Sequence, residues 1–172
     1  MDLRTQLLQQ YIKTDLEQIA QRAAGDVQLF KELVRLFLED EYRVVQRSAW
    51  IISMATDLQP GLVQPYLPAM VARMLAPGLP PAVRRNVVRI LQHVPIPEAL
   101  HGPVMNACFD FLTDPKENIA VRCFSMTVLG NLSKIYPEIK PELTTILEDQ
   151  LEHGASAGFR SRAAKTMKSM SK

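Results

Sequence analysis

The sequence predicts an all-α fold, an α-α superhelix of about four helix pairs with a capping helix segment at its N-terminus. Three observations carry that expectation. Apolar residues recur with a period of 38 residues, as at Val45, Val83, Val121 and Phe159. Within each period they take the spacing of one helix face: four positions on stand Ala49, Val87, Ser125 and Ala163, and seven positions on stand Ile52, Ile90, Val128 and Thr166. No stretch sustains the period-2 alternation of a half-buried strand. A length of 172 residues, 47% apolar and 22% charged, suits one ordinary globular domain and excludes a disordered tail, a collagen or a mini-protein.

Taken in order, residues 1–25 read as capping helices. Thr14-Asp15-Leu16-Glu17 has the pattern of a capping box, Gly25 ends the helix it starts, and Asp26 is placed to cap the next. The repeats then run over 26–60, 61–97, 98–137 and 138–170 within a single domain spanning 1–172. Each opens with a leading helix, whose stripes are Leu29 and Leu33, Leu67 and Val71, Met105 and Phe109, and Leu143 and Leu147. Pro65, Pro103 and Pro141 share the same spacing and are expected in the first turn of that helix, where a missing N–H costs nothing. Pro77 and Pro115 are expected to close it, and Pro60, Pro97 and Pro137 mark the ends of the trailing helices. A helix pair buries only part of its apolar surface alone, so stacked neighbours complete the core.

The trailing helices resemble those of HEAT repeats, which usually begin with a Val-Arg pair followed by an Ala-rich, Leu-rich stripe. The matching strings are VRRNVVRIL from Val83, VRCFSMTVLGNL from Val121 and FRSRAAKTM from Phe159; VQRSAWIIS from Val45 departs by placing Gln46 where Arg is expected. The resemblance covers about residues 27–170 and implies a HEAT-like solenoid whose trailing helices line the concave surface. As a whole the chain is also similar to small bacterial HEAT proteins, some of which carry the label adenylosuccinate lyase. Such lyases are much longer, build composite sites from several subunits and carry a Ser-rich, Gly-rich mobile loop that nothing in this sequence matches. Neither a lyase activity nor a cofactor is expected.

His93, His101 and His153 lie in three separate segments, with no spacing that would put two ligands on one helix face, so no metal site is expected. No nucleophile elbow or Gly-rich phosphate loop accompanies them. His93 is expected to meet the terminal carbonyls of its helix. Cys108 falls in a leading stripe and reads as a small core residue, Cys123 as a more exposed one. The opening MDLRTQLLQQ lacks the features of a secretory signal, and a cytoplasmic location with free thiols is expected. The longest uncharged run, Leu58 to Ala72, is too short for a bilayer span and carries Pro60, Pro65 and Pro68, so no membrane role is expected.

Arg84, Arg122 and Arg160 border the buried stripe and read as holding repeats together through loop carbonyls, with a basic track as the alternative. With Val83 at zero and about 100° per residue, the stripe leaves Arg85, Arg89 and Gln92 on the solvent side. Equivalent positions in other trailing helices are Arg47, Ile51 and Met54, then Cys123 and Thr127, then Lys165 and Lys168. The candidate concave surface is therefore Arg47, Ile51, Met54, Arg85, Arg89, Thr127, Lys165 and Lys168. Its mix of cations and apolar side chains suits an acidic, partly apolar peptide or protein. The competing arrangement is a solvated face with Ile51 and Met54 covered by the N-terminal helices. Trp50, on the flank, reads as packing.

Charge is uneven: residues 98–153 carry four bases and nine acids, and 154–172 carry five bases and no acid. The basic end is expected to pair with the acidic repeat before it, with a polybasic contact to nucleic acid as the alternative. A net charge of +2 is low for a dedicated nucleic-acid binder. The expected function is a non-enzymatic protein-interaction scaffold; the alternative is a nucleic-acid-binding protein related to the solenoids of DNA-glycosylase type.

Overall fold

Helix starts and stops follow local chemistry, and they set where each outward side chain stands. The computed structural model describes residues 1–9 and 12–172, and every regular element among them is helical. The chain divides into two compact units, Met1–Ile96 and Pro97–Lys172.

In the first unit, α1 (Leu3–Leu8) is capped by Asp2, whose carboxylate accepts from the Thr5 N–H at 2.7 Å. Helix α2 (Lys13–Ala24) begins one residue ahead of Thr14, with Ile12 at its N-cap and the Asp15 carboxylate accepting from the Ile12 N–H at 3.2 Å. The anticipated box of Thr14 and Glu17 is therefore not the one formed: the start shifts two residues, to Ile12 and Asp15. Asp26 accepts from the N–H groups of Gln28 and Leu29, both at 3.0 Å, and starts α3 (Val27–Glu39). Helix α4 (Tyr42–Leu58) follows, then a 3₁₀ stretch Pro60–Tyr66, α5 (Leu67–Leu75) and α6 (Pro81–Leu91). Pro65, expected in the first turn of the leading helix, lies inside the 3₁₀ stretch instead, and Pro68 takes the early position in α5. The tighter i→i+3 turn fits a segment with prolines at 60 and 65, because each proline removes one N–H from the ladder.

Helix α4 is the centre of this unit, with α1, α2, α3 and α6 packed around it. It buries the anticipated stripe of Val45, Ala49 and Ile52 and, on other sides, Val44, Ser48, Ile51 and Ala55. Burial this far round the helix is compatible with small polar residues only if they find partners. The Ser48 hydroxyl donates to the Val44 carbonyl and the Thr56 hydroxyl to the Ile52 carbonyl, both at 2.7 Å.

The second unit comprises α7 (Glu98–Thr113), α8 (Ile119–Leu132), a 3₁₀ turn Pro137–Ile139, α9 (Lys140–Glu152) and α10 (Ala157–Met170). Pro141 is the second residue of α9, but Pro103 sits inside α7, because that helix starts at Glu98. The proline forfeits the bond to the Ala99 carbonyl, and Ala99 is exposed, so water is at hand for that oxygen. Helix α8 packs on both α7 and α10. Gly130 marks its close approach to α10: a Cβ built there would lie 2.9 Å from Thr166 Cγ2. Buried His101 meets Tyr136 edge to face, with Nδ1 3.0 Å from the hydroxyl.

Candidate functional site

The outward positions of the trailing helices α4, α6, α8 and α10 carry all eight anticipated site residues, and their fates differ. On α4 the surface is closed. Ile51 is fully buried and Met54 is half-buried, because α1 and α2 return over α4. Arg47 is half-buried as well, and its guanidinium Nη1 donates to the carbonyls of Leu7 and Gln9, at and just beyond the end of α1. Arg47 therefore ties down the end of α1 and Ile51 belongs to the core, which corrects their assignment to an open surface, while Met54 keeps part of its surface open. The competing arrangement, a face of α4 covered by the N-terminal helices, is the one that fits buried Ile51.

On α6, Arg85 is exposed. It borders a hollow of about 350 Å³, shared with Leu16, Gln46, Arg47, Trp50, Ala82 and Asn86. Arg89 is about one third exposed and reaches back to α4: Nη2 lies 2.6 Å from Asp57 Oδ2, and Nη1 donates to the Ser53 hydroxyl. Gln92, expected on the solvent side, is buried just past the end of the helix.

In the second unit the Thr127 hydroxyl accepts from Arg162 at 2.9 Å, and the same guanidinium lies 5.8 Å from the centre of the Phe124 ring. Lys165 and Lys168 are exposed on α10. Two adjoining hollows meet at Lys165 and Ser169. The smaller, about 290 Å³, is lined by Thr127, Gly130, Asn131, Arg162, Lys165, Thr166 and Ser169. The larger, about 700 Å³, is lined by Lys134, Lys140, Lys165, Lys168, Ser169 and Lys172. No ion pair ties these lysines among the described residues, so the basic end does not pair with the acidic repeat through them. The carboxylates of 98–153 do not line this hollow, which is why the expected neutralisation is missing.

Lys134, Lys140 and Lys172 were not among the anticipated site residues. A signal for two of them is present in the sequence: Lys134 and Lys172 stand one 38-residue period apart.

Of the three in-register arginines, Arg122 and Arg160 act as struts. Arg122 Nε donates to the Leu112 carbonyl at 3.3 Å, and its guanidinium lies 5.2 Å from the centre of the Phe159 ring. Arg160 donates to the carbonyls of Ala155 and Leu151 at 3.0 and 3.1 Å. The terminal-carbonyl contact expected of His93 is made instead by His153, whose Nδ1 donates to the Asp149 carbonyl at 2.7 Å. That bond and the Asp149 charge raise the His153 pKa above its ordinary value. Burial pushes the Cys108 thiol up to about 12. Cys123 is half-buried and raised by the same cause, against the opposing pull of Arg162 and Arg122.

No helix among the described residues is long and apolar enough to cross a membrane. A family model for the HEAT repeat domain matches residues 3–170. No curated protein and no solved structure shows significant similarity to the chain.

Proposed function

Because the chain belongs to the HEAT repeat family, whose members are typically protein-interaction scaffolds, we propose that it is a non-enzymatic scaffold for a protein partner with an acidic surface. The observation that carries this reading is the set of unpaired lysines on the α10 side of the second unit. A fixed cluster of one sign attracts the opposite sign over a Debye length and rejects like-charged surfaces. Arg85 adds an open cation on the first unit, whereas Arg47 and Arg89 are engaged within it. The reading also places the protein in the cytoplasm and assigns it no cofactor and no cleavage of adenylosuccinate.

The test is affinity capture from the native host with wild type and with Lys165→Glu plus Lys168→Glu. These positions serve better than Arg89, whose reversal would set two carboxylates against each other beside Asp57. Circular dichroism and thermal melts are expected to be unchanged, and the recovered partner is expected to fall severalfold. Equal recovery with both proteins overturns the reading. Nucleic acid is the competing ligand, and it predicts binding to duplex or single strands that weakens steeply with salt.

A further inference from the structure

We propose that the lysine hollow of the second unit binds a compact polyphosphorylated small molecule, with three or more phosphate groups held close together. This specifies the anion and rests on the reading of the α10 side as a binding surface. Five lysines, Lys134, Lys140, Lys165, Lys168 and Lys172, line a hollow of about 700 Å³, a volume within the range of small-ligand sites.

The needs of the fold account for only part of the cluster. Lys134 and Lys168 lie at the C-terminal ends of α8 and α10, where a cation favours the helix dipole. Lys140 is the first residue of α9, the end at which a cation is disfavoured. The five charges repel one another, and no acidic side chain lines the hollow to relieve them. A bound polyanion would.

The lining also selects among polyanions. No aromatic ring faces the hollow, so it offers no stacking platform for single-stranded bases. No large apolar side chain lines it, so it lacks the anchor pocket a peptide side chain would fill. All its charges are ammonium groups, compact point charges that clustered phosphate oxygens can share. Beyond the shared Lys165, the adjoining hollow adds a single cation, Arg162, and that guanidinium is engaged with Thr127 and Phe124.

The experiment is calorimetric titration of the full chain with inorganic tripolyphosphate and with inositol hexakisphosphate, which separate a linear from a ring-borne source of the same chemistry. Citrate, an oligoglutamate peptide and a single-stranded oligonucleotide are the comparison ligands. At least one polyphosphate is expected to bind ten times or more tightly than citrate and more tightly than the peptide or the oligonucleotide. Lys134→Gln with Lys172→Gln is expected to weaken it at least tenfold with unchanged circular dichroism, and Lys116→Gln, outside the hollow, to leave it intact. Citrate binding as well as both polyphosphates, or equal binding by the double variant, overturns the proposal. Tighter binding of the oligonucleotide overturns it in favour of nucleic acid. Tighter binding of oligoglutamate overturns it while leaving the scaffold reading in place. Polyphosphate binding that meets these terms, together with unchanged partner recovery by the α10 reversals, overturns the scaffold reading alone.

Discussion

Gly130 of α8 and Thr166 of α10 touch so closely that a methyl group on Gly130 would come within 2.9 Å of Thr166 Cγ2. Alanine at that position gains up to about 1 kcal/mol of helix propensity but meets a buried, β-branched neighbour with little freedom to move. Overpacking of this kind costs about 1–3 kcal/mol. Gly130→Ala is therefore expected to lower stability, and adding Thr166→Ser, which removes the offending methyl, is expected to recover most of the loss. A denaturant-melt comparison of the two variants checks it; if Thr166→Ser deepens the loss, the clash is not its cause.

Ile51 separates a core role from a binding role. It is fully buried on α4, so Ile51→Ala is expected to lose about 2–5 kcal/mol of stability. Partner recovery at a temperature where the variant is still folded is expected to match wild type. A stable variant with impaired recovery would return Ile51 to the binding surface.

The Arg89–Asp57 pair is short, at 2.6 Å, but each side chain is more than a third exposed or close to it, at 34% and 38%. Solvent screening limits such pairs, and a double-mutant cycle with Arg89→Gln and Asp57→Asn is expected to return about 0.2–1 kcal/mol of coupling. A coupling several times larger would show that Ser53 and the pair act as one network.

Acid should weaken the tie between the first helix and α3. The Arg4 guanidinium donates to Asp40 at 2.7 Å and holds that carboxyl below the usual carboxylate range. The folded chain thus binds this proton less readily than the unfolded chain. The associated stability is present above the unfolded value of about 3.9 and is lost as pH falls through the lower folded value. Wild type is expected to melt higher than Arg4→Gln at pH 6, and the two curves are expected to converge at acid pH. A gap that stays constant down to pH 2 contradicts the assignment.

The helix pairs were legible because their signal is local and repeated: Val45, Val83, Val121 and Phe159 are all buried and all near the starts of trailing helices. The binding face was less legible, and one register position shows why. Ile51, Arg89, Thr127 and Lys165 are equivalent in the 38-residue period. The first is covered by helices from the chain's own start, the second reaches back to Asp57, the third accepts from Arg162, and the fourth is open. Periodicity reports which way a side chain leaves its helix; what it meets there depends on segments far away in sequence. Pro103 was misplaced for a related reason, since the helix gains a turn before it, beginning at Glu98, that the repeat spacing does not encode.

Several buried polar side chains in the first unit answer their hydrogen-bonding needs within their own helix. Ser48 and Thr56 bond to α4 carbonyls, and Asn86 donates to the Ala82 carbonyl of α6 at 2.7 Å. These groups leave α4 and α6 meeting chiefly through apolar contact, with the long, bendable Arg89 side chain as a tether. Each of these three bonds closes within a single helix, so a small slip between α4 and α6 would break none of them.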